Sequence, residues 1–180
     1  MVVGAFGFKG SGKSVFASYL YNEHGFTRVN FKDSLIAEMR ENFVETLEEL
    51  SILYSMSVDR LFEEKPPVMR RLMQNYGTDV RRKDNDNYWV DKWFAKADAV
   101  EGDIVADDVR FENELAAVIG LGGVVVRVNK SDVTSGGTHP SETEQESFEP
   151  DFTIDGIAGD HHSIHRQASE ILEKIKRYNK

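Results

Sequence analysis

The sequence contains no cysteine. Disulfides, thiolate nucleophiles and cysteine-ligated metals are thereby excluded. No apolar run approaches the ~20 residues needed to span a bilayer. The first residues, Met1-Val2-Val3-Gly4, lack the basic stretch of a secretory signal, and the apolar run they begin ends in a glycine-rich loop. Basic residues are in the minority, 22 Lys and Arg against 31 Asp and Glu, for a net charge of −9. An acidic surface repels phosphate backbones, which argues against a general DNA or RNA binder but leaves room for a local basic pocket around a small phosphorylated ligand. Internal repeats and low-complexity tracts are also missing. What remains is an ordinary globular composition, 40% hydrophobic and 29% charged over 180 residues. That length suits one domain with a proper core, and a cytoplasmic enzyme fits it.

Apolar periodicity predicts strands that alternate with helices. Val2–Phe8 reads as a buried strand feeding a glycine loop, and residues 13–23 as a helix closed by Gly25. Phe26–Phe31 alternates as a second strand. Asp33 is placed to cap a helix running to about Val44. Thr46 with Glu49 forms a capping-box pattern, and Ser57–Lys65 reads as helical. Pro66-Pro67 breaks that helix and suits the first turn of the next, which runs to about Tyr76 with Gly77 ending or bending it. A helix over Tyr88–Val100 is capped by Asp86 or Asn87. Asp103–Val109 and Val124–Val128 read as apolar strands, the second apolar enough to be covered on both faces. Glu112–Leu121 is a helix between them, stopped by Gly122-Gly123. Phe152–Ile154 is a last short strand, and Ser163–Tyr178 an amphipathic helix. The pattern predicts a three-layer α/β/α domain over residues 1–180 around a five-stranded parallel sheet. Residues 33–100 interrupt the alternation as a helical insert, expected over the C-terminal edge of the sheet where α/β ligands sit. Residues 130–147 are polar and glycine-containing, a loop or lid.

Gly7-Phe8-Lys9-Gly10-Ser11-Gly12-Lys13-Ser14 matches the phosphate-loop pattern G-x-x-x-x-G-K-[ST] in full, between a strand and a helix as the pattern requires. Its chemistry follows from the residue types. Glycines let the backbone of Gly10, Ser11 and Gly12 curl with N–H groups pointing inward, at the positive end of a helix. Lys13 supplies a mobile cation for β- and γ-phosphates. The Ser14 hydroxyl is a hard oxygen ligand for Mg²⁺. Two acids, Asp107 and Asp108, end the strand at residues 103–109. If that strand adjoins the loop, one of them faces the metal shell and the other faces away. Both could instead cap the helix that begins at Glu112.

Arginines stand out in so acidic a chain. Arg70, Arg71, Arg81 and Arg82 fall in the helical insert, while Arg110 and Arg127 lie at or near strands. Guanidinium forks bind phosphate bidentately and keep their charge, which suits a site holding two anions. Taken singly, each is equally well read as a solvated surface arginine.

Four segments carry a family resemblance. Beside the phosphate loop stands Pro67-Val68-Met69-Arg70-Arg71-Leu72-Met73-Gln74-Asn75-Tyr76-Gly77-Thr78-Asp79-Val80-Arg81-Arg82, followed by Asn87-Tyr88-Trp89-Val90. The third is Asp108-Val109-Arg110-Phe111-Glu112-Asn113-Glu114, and the fourth His139-Pro140-Ser141-Glu142. Together they resemble the bacteriophage deoxynucleoside monophosphate kinases over roughly residues 2–155. The resemblance implies an adenylate-kinase-like fold, ATP with Mg²⁺ as donor and a deoxynucleoside monophosphate as acceptor. It places Asp108 and Arg110 at the reacting phosphates. Arg70, Gln74, Thr78 and Arg82 would line the acceptor pocket, with Asp33, Ser141 and Glu142 in matching segments of that region. The acidic charge and the lack of a membrane-length apolar run argue against a nucleic-acid polymer or a membrane as partner and leave room for a homodimer. A phage-encoded enzyme would work in the bacterial host cytoplasm.

Departures from the family matter too. Ser14-Val15 stands where members often carry Asp-Thr, which restores the ordinary Mg²⁺ hydroxyl. No arginine occurs between Arg127 and Arg166, so a clamp on the transferring group would fall to Arg110, Arg127 and the helical insert. Trp89 could stack on a base or simply fill the core. Ser141 and Glu144 also match a capping box. His161 and His165 share a helix face but lack a third metal ligand, and read as solvated. A dephospho-coenzyme A or shikimate-type kinase, and a nucleotide-binding switch without turnover, are the rival readings.

Overall fold

A computed structural model describes residues 1–133 and 139–178. They divide into two compact units. One comprises Met1–Asn30 and Phe94–Lys180, the other Phe31–Trp93. Among the described residues no helix is long and apolar enough to cross a membrane.

The first unit is built on a five-stranded sheet in the order β2-β3-β1-β4-β5, with every pairing parallel. The strands are β1 (Val2–Phe6), β2 (Thr27–Arg28), β3 (Ile104–Ala106), β4 (Val124–Lys130) and β5 (Phe152–Gly156). Central β1 pairs with β3 on one side and β4 on the other, so it has no exposed edge. Val3, Ala5, Val105, Val126 and Val128 are almost wholly buried. That explains why these strands read as continuous apolar runs rather than alternating ones. Helices α1 (Lys13–His24) and α9 (His161–Tyr178) supply Phe16, Ala17, Leu20, Ile164, Ala168, Ile171, Leu172 and Ile175 to the same core. The α9 positions recur at three- and four-residue steps, which makes one apolar stripe. Helix α7 (Glu112–Gly120) links β3 to β4.

The second strand is shorter than its alternation predicts. Only Thr27–Arg28 pair as strand, although Val29 N–H still reaches the Val105 carbonyl at 3.0 Å. It lies at the sheet edge, where short strands are the rule. The stretch expected as a loop after β4 contains α8 (Pro140–Thr143) and a 3₁₀ turn (Glu144–Ser147).

The helical unit contains α2 (Lys32–Asn42), α3 (Val44–Tyr54), α4 (Val58–Glu64) and α5 (Pro67–Gln74); α6 (Tyr88–Asp98) starts within it. Ser57 caps α4 by accepting from Arg60 N–H at 3.3 Å, and Pro67 opens α5, both as the local chemistry dictates. Helix α3 starts at Val44, so Thr46 and Glu49 lie inside it and form no capping box. Gly77 does not end its helix. The chain runs from α5 directly into a π-helix, Asn75–Arg82. Met39, Leu47, Leu50, Leu61, Phe62, Met69, Met73, Tyr76 and Trp89 form this unit's own core.

Candidate functional site

The phosphate loop leaves β1 and enters α1 through three glycines with positive φ: Gly7 at 140°, Gly10 at 85° and Gly12 at 103°. Close contact reinforces the first and third. A Cβ on Gly7 would fall 2.2 Å from the Val128 carbonyl oxygen, and one on Gly12 2.5 Å from Ile164 Cδ1. Ser11 N–H donates to the Phe8 carbonyl at 3.1 Å, which closes the turn. The Ser11 hydroxyl is buried and has no hydrogen-bond partner among the described residues. An orphaned buried polar atom inside a glycine cradle at a helix N-terminus fits a polyphosphate. Lys13 Nζ donates to the carbonyls of Gly7 and Phe8, the latter at 2.8 Å. Ser14 is exposed at the start of α1.

Beside the loop, Asp107 and Asp108 directly follow β3, and both are buried. Asp107 N–H donates to Asn30 Oδ1 at 2.9 Å, and its carboxylate lies 3.6 Å from Arg28 Nη2. The same Arg28 nitrogen donates to the Ser14 carbonyl and the Ser18 hydroxyl, each at 3.2 Å. Arg28 therefore joins the start of α1 to the acids that follow β3. Sequence reasoning missed it, since nothing along the chain links residue 28 to 14 and 107. Adjacency of β3 to β1 is what gathers the loop and the acids at one sheet end.

Two other predicted residues have local partners. Arg110 and Phe111 N–H groups donate to Glu114 Oε2 at 2.8 and 3.3 Å, so buried Glu114 caps α7. The Arg127 guanidinium lies 5.0 Å from the Phe6 ring centroid and donates to the Phe148 carbonyl at 2.5 Å. That is a brace between the sheet and the segment after the 3₁₀ turn. Gln145, also missed, is buried and accepts from Gly7 N–H at 3.0 Å, so this segment also holds the first residue of the phosphate loop. The side chains of Ser141 and Glu142 lie outside the described residues.

In the helical unit, Arg70, Gln74 and Thr78 are half-buried and Arg82 is buried, its Nη1 donating to the Asp86 carbonyl at 3.0 Å. Asp33 lies in the first turn of α2. Trp89 is 4% exposed, and its indole N–H donates to the Gly77 carbonyl at 2.8 Å. Of its two readings, base stacking and core, the core reading accounts for it, because both its face and its donor are used.

A polar cluster that no local motif signals sits in the same unit. The Glu38 carboxylate accepts from the hydroxyls of Tyr76, at 3.0 Å, and Tyr88. It also pairs with Lys92 at 2.9 Å and Arg81 at 3.2 Å. Burial pushes the Glu38 carboxyl up, but hydrogen bonds from Tyr88, Lys92 and Tyr76 together outweigh it and leave it below its ordinary value. The bond to Glu38 raises Lys92 and Tyr88 in turn. The cluster is thus held ionised: one carboxylate, two cations.

The profile of the deoxynucleotide monophosphate kinase family matches residues 27–156. A protein of Acanthamoeba polyphaga mimivirus, which carries the provisional name of deoxynucleotide monophosphate kinase, is 30% identical over 167 residues, covering 82% of this chain and 83% of its own. Among solved structures, shikimate kinase from Aquifex aeolicus superposes with a TM-score of 0.50 at 14% identity, covering 98% of both chains. At that identity the likeness is one of fold alone.

Proposed function

The chain belongs to the deoxynucleotide monophosphate kinase family, and we propose that it transfers the γ-phosphoryl group of ATP to a deoxynucleoside monophosphate, giving the deoxynucleoside diphosphate and ADP. The observation that carries the donor half is the phosphate loop: positive-φ glycines, a buried Ser11 hydroxyl without a partner among the described residues, and Lys13 at the mouth of α1. In this reading Lys13 exchanges its carbonyl partners for phosphate oxygens, and the loop N–H groups orient the polyphosphate. Ser14 and one of the acids that follow β3, Asp108 in our assignment, would hold Mg²⁺. When bound, that ion neutralises charge on the polyphosphate.

The acceptor half rests on the helical unit. Arg70 and Arg82 are assigned to the monophosphate, while Gln74, with its paired donor and acceptor, reads base edges. Thr78 and Asp33 complete that surface, and Arg110 serves the transferring group. No covalent enzyme intermediate is required; the work is positioning and charge stabilisation. In this reading the enzyme acts in the cytoplasm.

An acceptor screen tests the proposal: ATP and Mg²⁺ with each deoxy- and ribonucleoside monophosphate, following ADP release. The proposal expects release that depends on a deoxynucleoside monophosphate. Equal use of ribonucleotides would remove the deoxy preference, and no acceptor-dependent release at all would remove the kinase.

A further inference from the structure

The Asn75–Arg82 stretch is wound as a π-helix. Such segments close hydrogen bonds to the fifth residue, are mostly single bulges, and cluster at functional sites. Eight residues is long for one. The local sequence, Asn-Tyr-Gly-Thr-Asp-Val-Arg-Arg, contains nothing covalent that enforces it, and Gly77 lowers helix propensity at its middle. Contacts from elsewhere in the unit must hold the wide turn open.

Tyr76 and Arg81 show how. Arg81 Nε and Nη2 both donate to the Tyr76 hydroxyl, at 3.0 and 2.7 Å. The two residues are five apart. In an α-helix that spacing puts side chains about 140° apart around the axis, too far to share one hydroxyl. In a π turn the fifth residue comes round much closer to the first, within reach of one hydroxyl. Glu38, on α2, grips both members of this pair. It also grips Tyr88 and Lys92 on α6. The guanidinium lies 5.1 Å from the Tyr76 ring centroid and 5.0 Å from that of Tyr88, which closes the cluster. One carboxylate thus ties α2, the π-helix and α6 together.

The π winding has a consequence for the acceptor residues. Arg70, Gln74, Thr78 and Arg82 follow at four-residue steps. Each such step over-rotates by about 40° in an α-helix, so the stripe would drift away from one face. The wider π turn holds more residues, so its four-residue steps fall short and turn the stripe back. Burial agrees. All four are half-buried or buried, whereas Arg71, Asn75, Asp79 and Lys83, each one residue further on, are exposed.

We propose that Glu38 is a positioning residue for acceptor binding: through Tyr76 and Arg81 it holds the π turn that keeps Thr78 and Arg82 on one stripe with Arg70 and Gln74. The inference rests on the kinase reading above. It also gives the adjacent arginines different duties: Arg81 locks the turn and Arg82 serves the acceptor.

The test is steady-state kinetics on the full chain, with ATP and the best monophosphate from the screen, for the parent, Glu38→Ala, Glu38→Gln and Tyr76→Phe. Glu38→Ala should raise the acceptor KM about tenfold or more, with the ATP KM nearly unmoved, as misplacing substrate-positioning groups does. Glu38→Gln keeps a carbonyl oxygen for one tyrosine but loses the charge, and should fall between. Tyr76→Phe keeps the buried ring and removes only the shared hydroxyl, so it judges the lock even where Glu38→Ala fails to fold. Amide exchange should quicken in residues 75–82 of the variants and elsewhere stay as in the parent. Folded variants with an unmoved acceptor KM, or with both KM values and kcat worsened alike, overturn the inference. A parent chain that releases no ADP with any monophosphate overturns the kinase reading itself, and the acceptor role with it; the two failures are told apart by the parent's turnover.

Discussion

Gly7→Ala and Gly10→Ala separate two ways in which a phosphate loop needs glycine. At Gly7 the new Cβ would sit 2.2 Å from the Val128 carbonyl oxygen and 3.0 Å from Ser11 Oγ, with φ at 140°. The carbonyl belongs to β4, whose neighbouring residue Arg127 pairs in register with Phe6, so it cannot step aside without disturbing the sheet. Backbone strain of about 1–3 kcal/mol and overpacking of about 1–3 kcal/mol both apply. For a chain of this length the combined effect lowers Tm by roughly 5–25 °C. At Gly10, φ is 85° but the nearest atom, Val133 Cγ2, is 3.7 Å from the added Cβ. Only the left-handed backbone penalty remains, about 1–2 kcal/mol, or roughly 2–8 °C. Gly25→Ala calibrates that term, with φ at 71° and nothing within 4 Å of the added Cβ. Thermal unfolding followed by circular dichroism reads all three. Gly10→Ala and Gly25→Ala should lose similar amounts and Gly7→Ala clearly more. Three equal losses would refute the claim that Gly7 is there for close approach as well as for φ.

Lys13→Met keeps the stem and removes the charge; the fold should survive while kcat falls about 100-fold or more, the cost of losing a preorganised stabilising group, and undiminished turnover would end its assigned role. Ser14→Ala and Asp108→Asn should each raise the Mg²⁺ concentration giving half-maximal rate. If Asp107→Asn does so instead, the acid facing the metal has been assigned to the wrong side of the strand end. Arg70→Ala should raise the acceptor KM about tenfold or more while leaving the ATP KM alone. Gln74→Ala should reorder preference among bases more than it slows turnover. Loss of ATP affinity in Arg70→Ala would mean that donor and acceptor sides had been exchanged.

Much of this protein is legible along the chain because its signals are local. A phosphate loop is a run of backbone conformations, and Gly7, Gly10, Gly12 and Lys13 specify it within seven residues. A parallel sheet covered on both faces demands the apolar runs of β1 and β4, and α9 carries its stripe openly. Ser57 and Pro67 mark helix starts because their effects reach only one turn. Thr46 misled for the complementary reason: a cap pattern inside a longer helix looks the same as one at its start, and only the packing of Leu47 and Leu50 into the core settles where α3 begins.

Tertiary structure decided the rest. Strand order set which acids adjoin the loop and brought Arg28 between Ser14 and Asp107. Trp89 could serve by sequence as a base platform or as core; its N–H bond to the Gly77 carbonyl and its burial make it core. The π-helix has no compositional signature, because its wide turn is held by Glu38, 38 residues from Tyr76 and 50 from Tyr88. Local backbone preference acts over a few residues and is written in their order. A carboxylate that gathers two tyrosines and two cations draws its energy from groups that meet only when the chain has folded, so no reading of neighbours along the sequence could announce it.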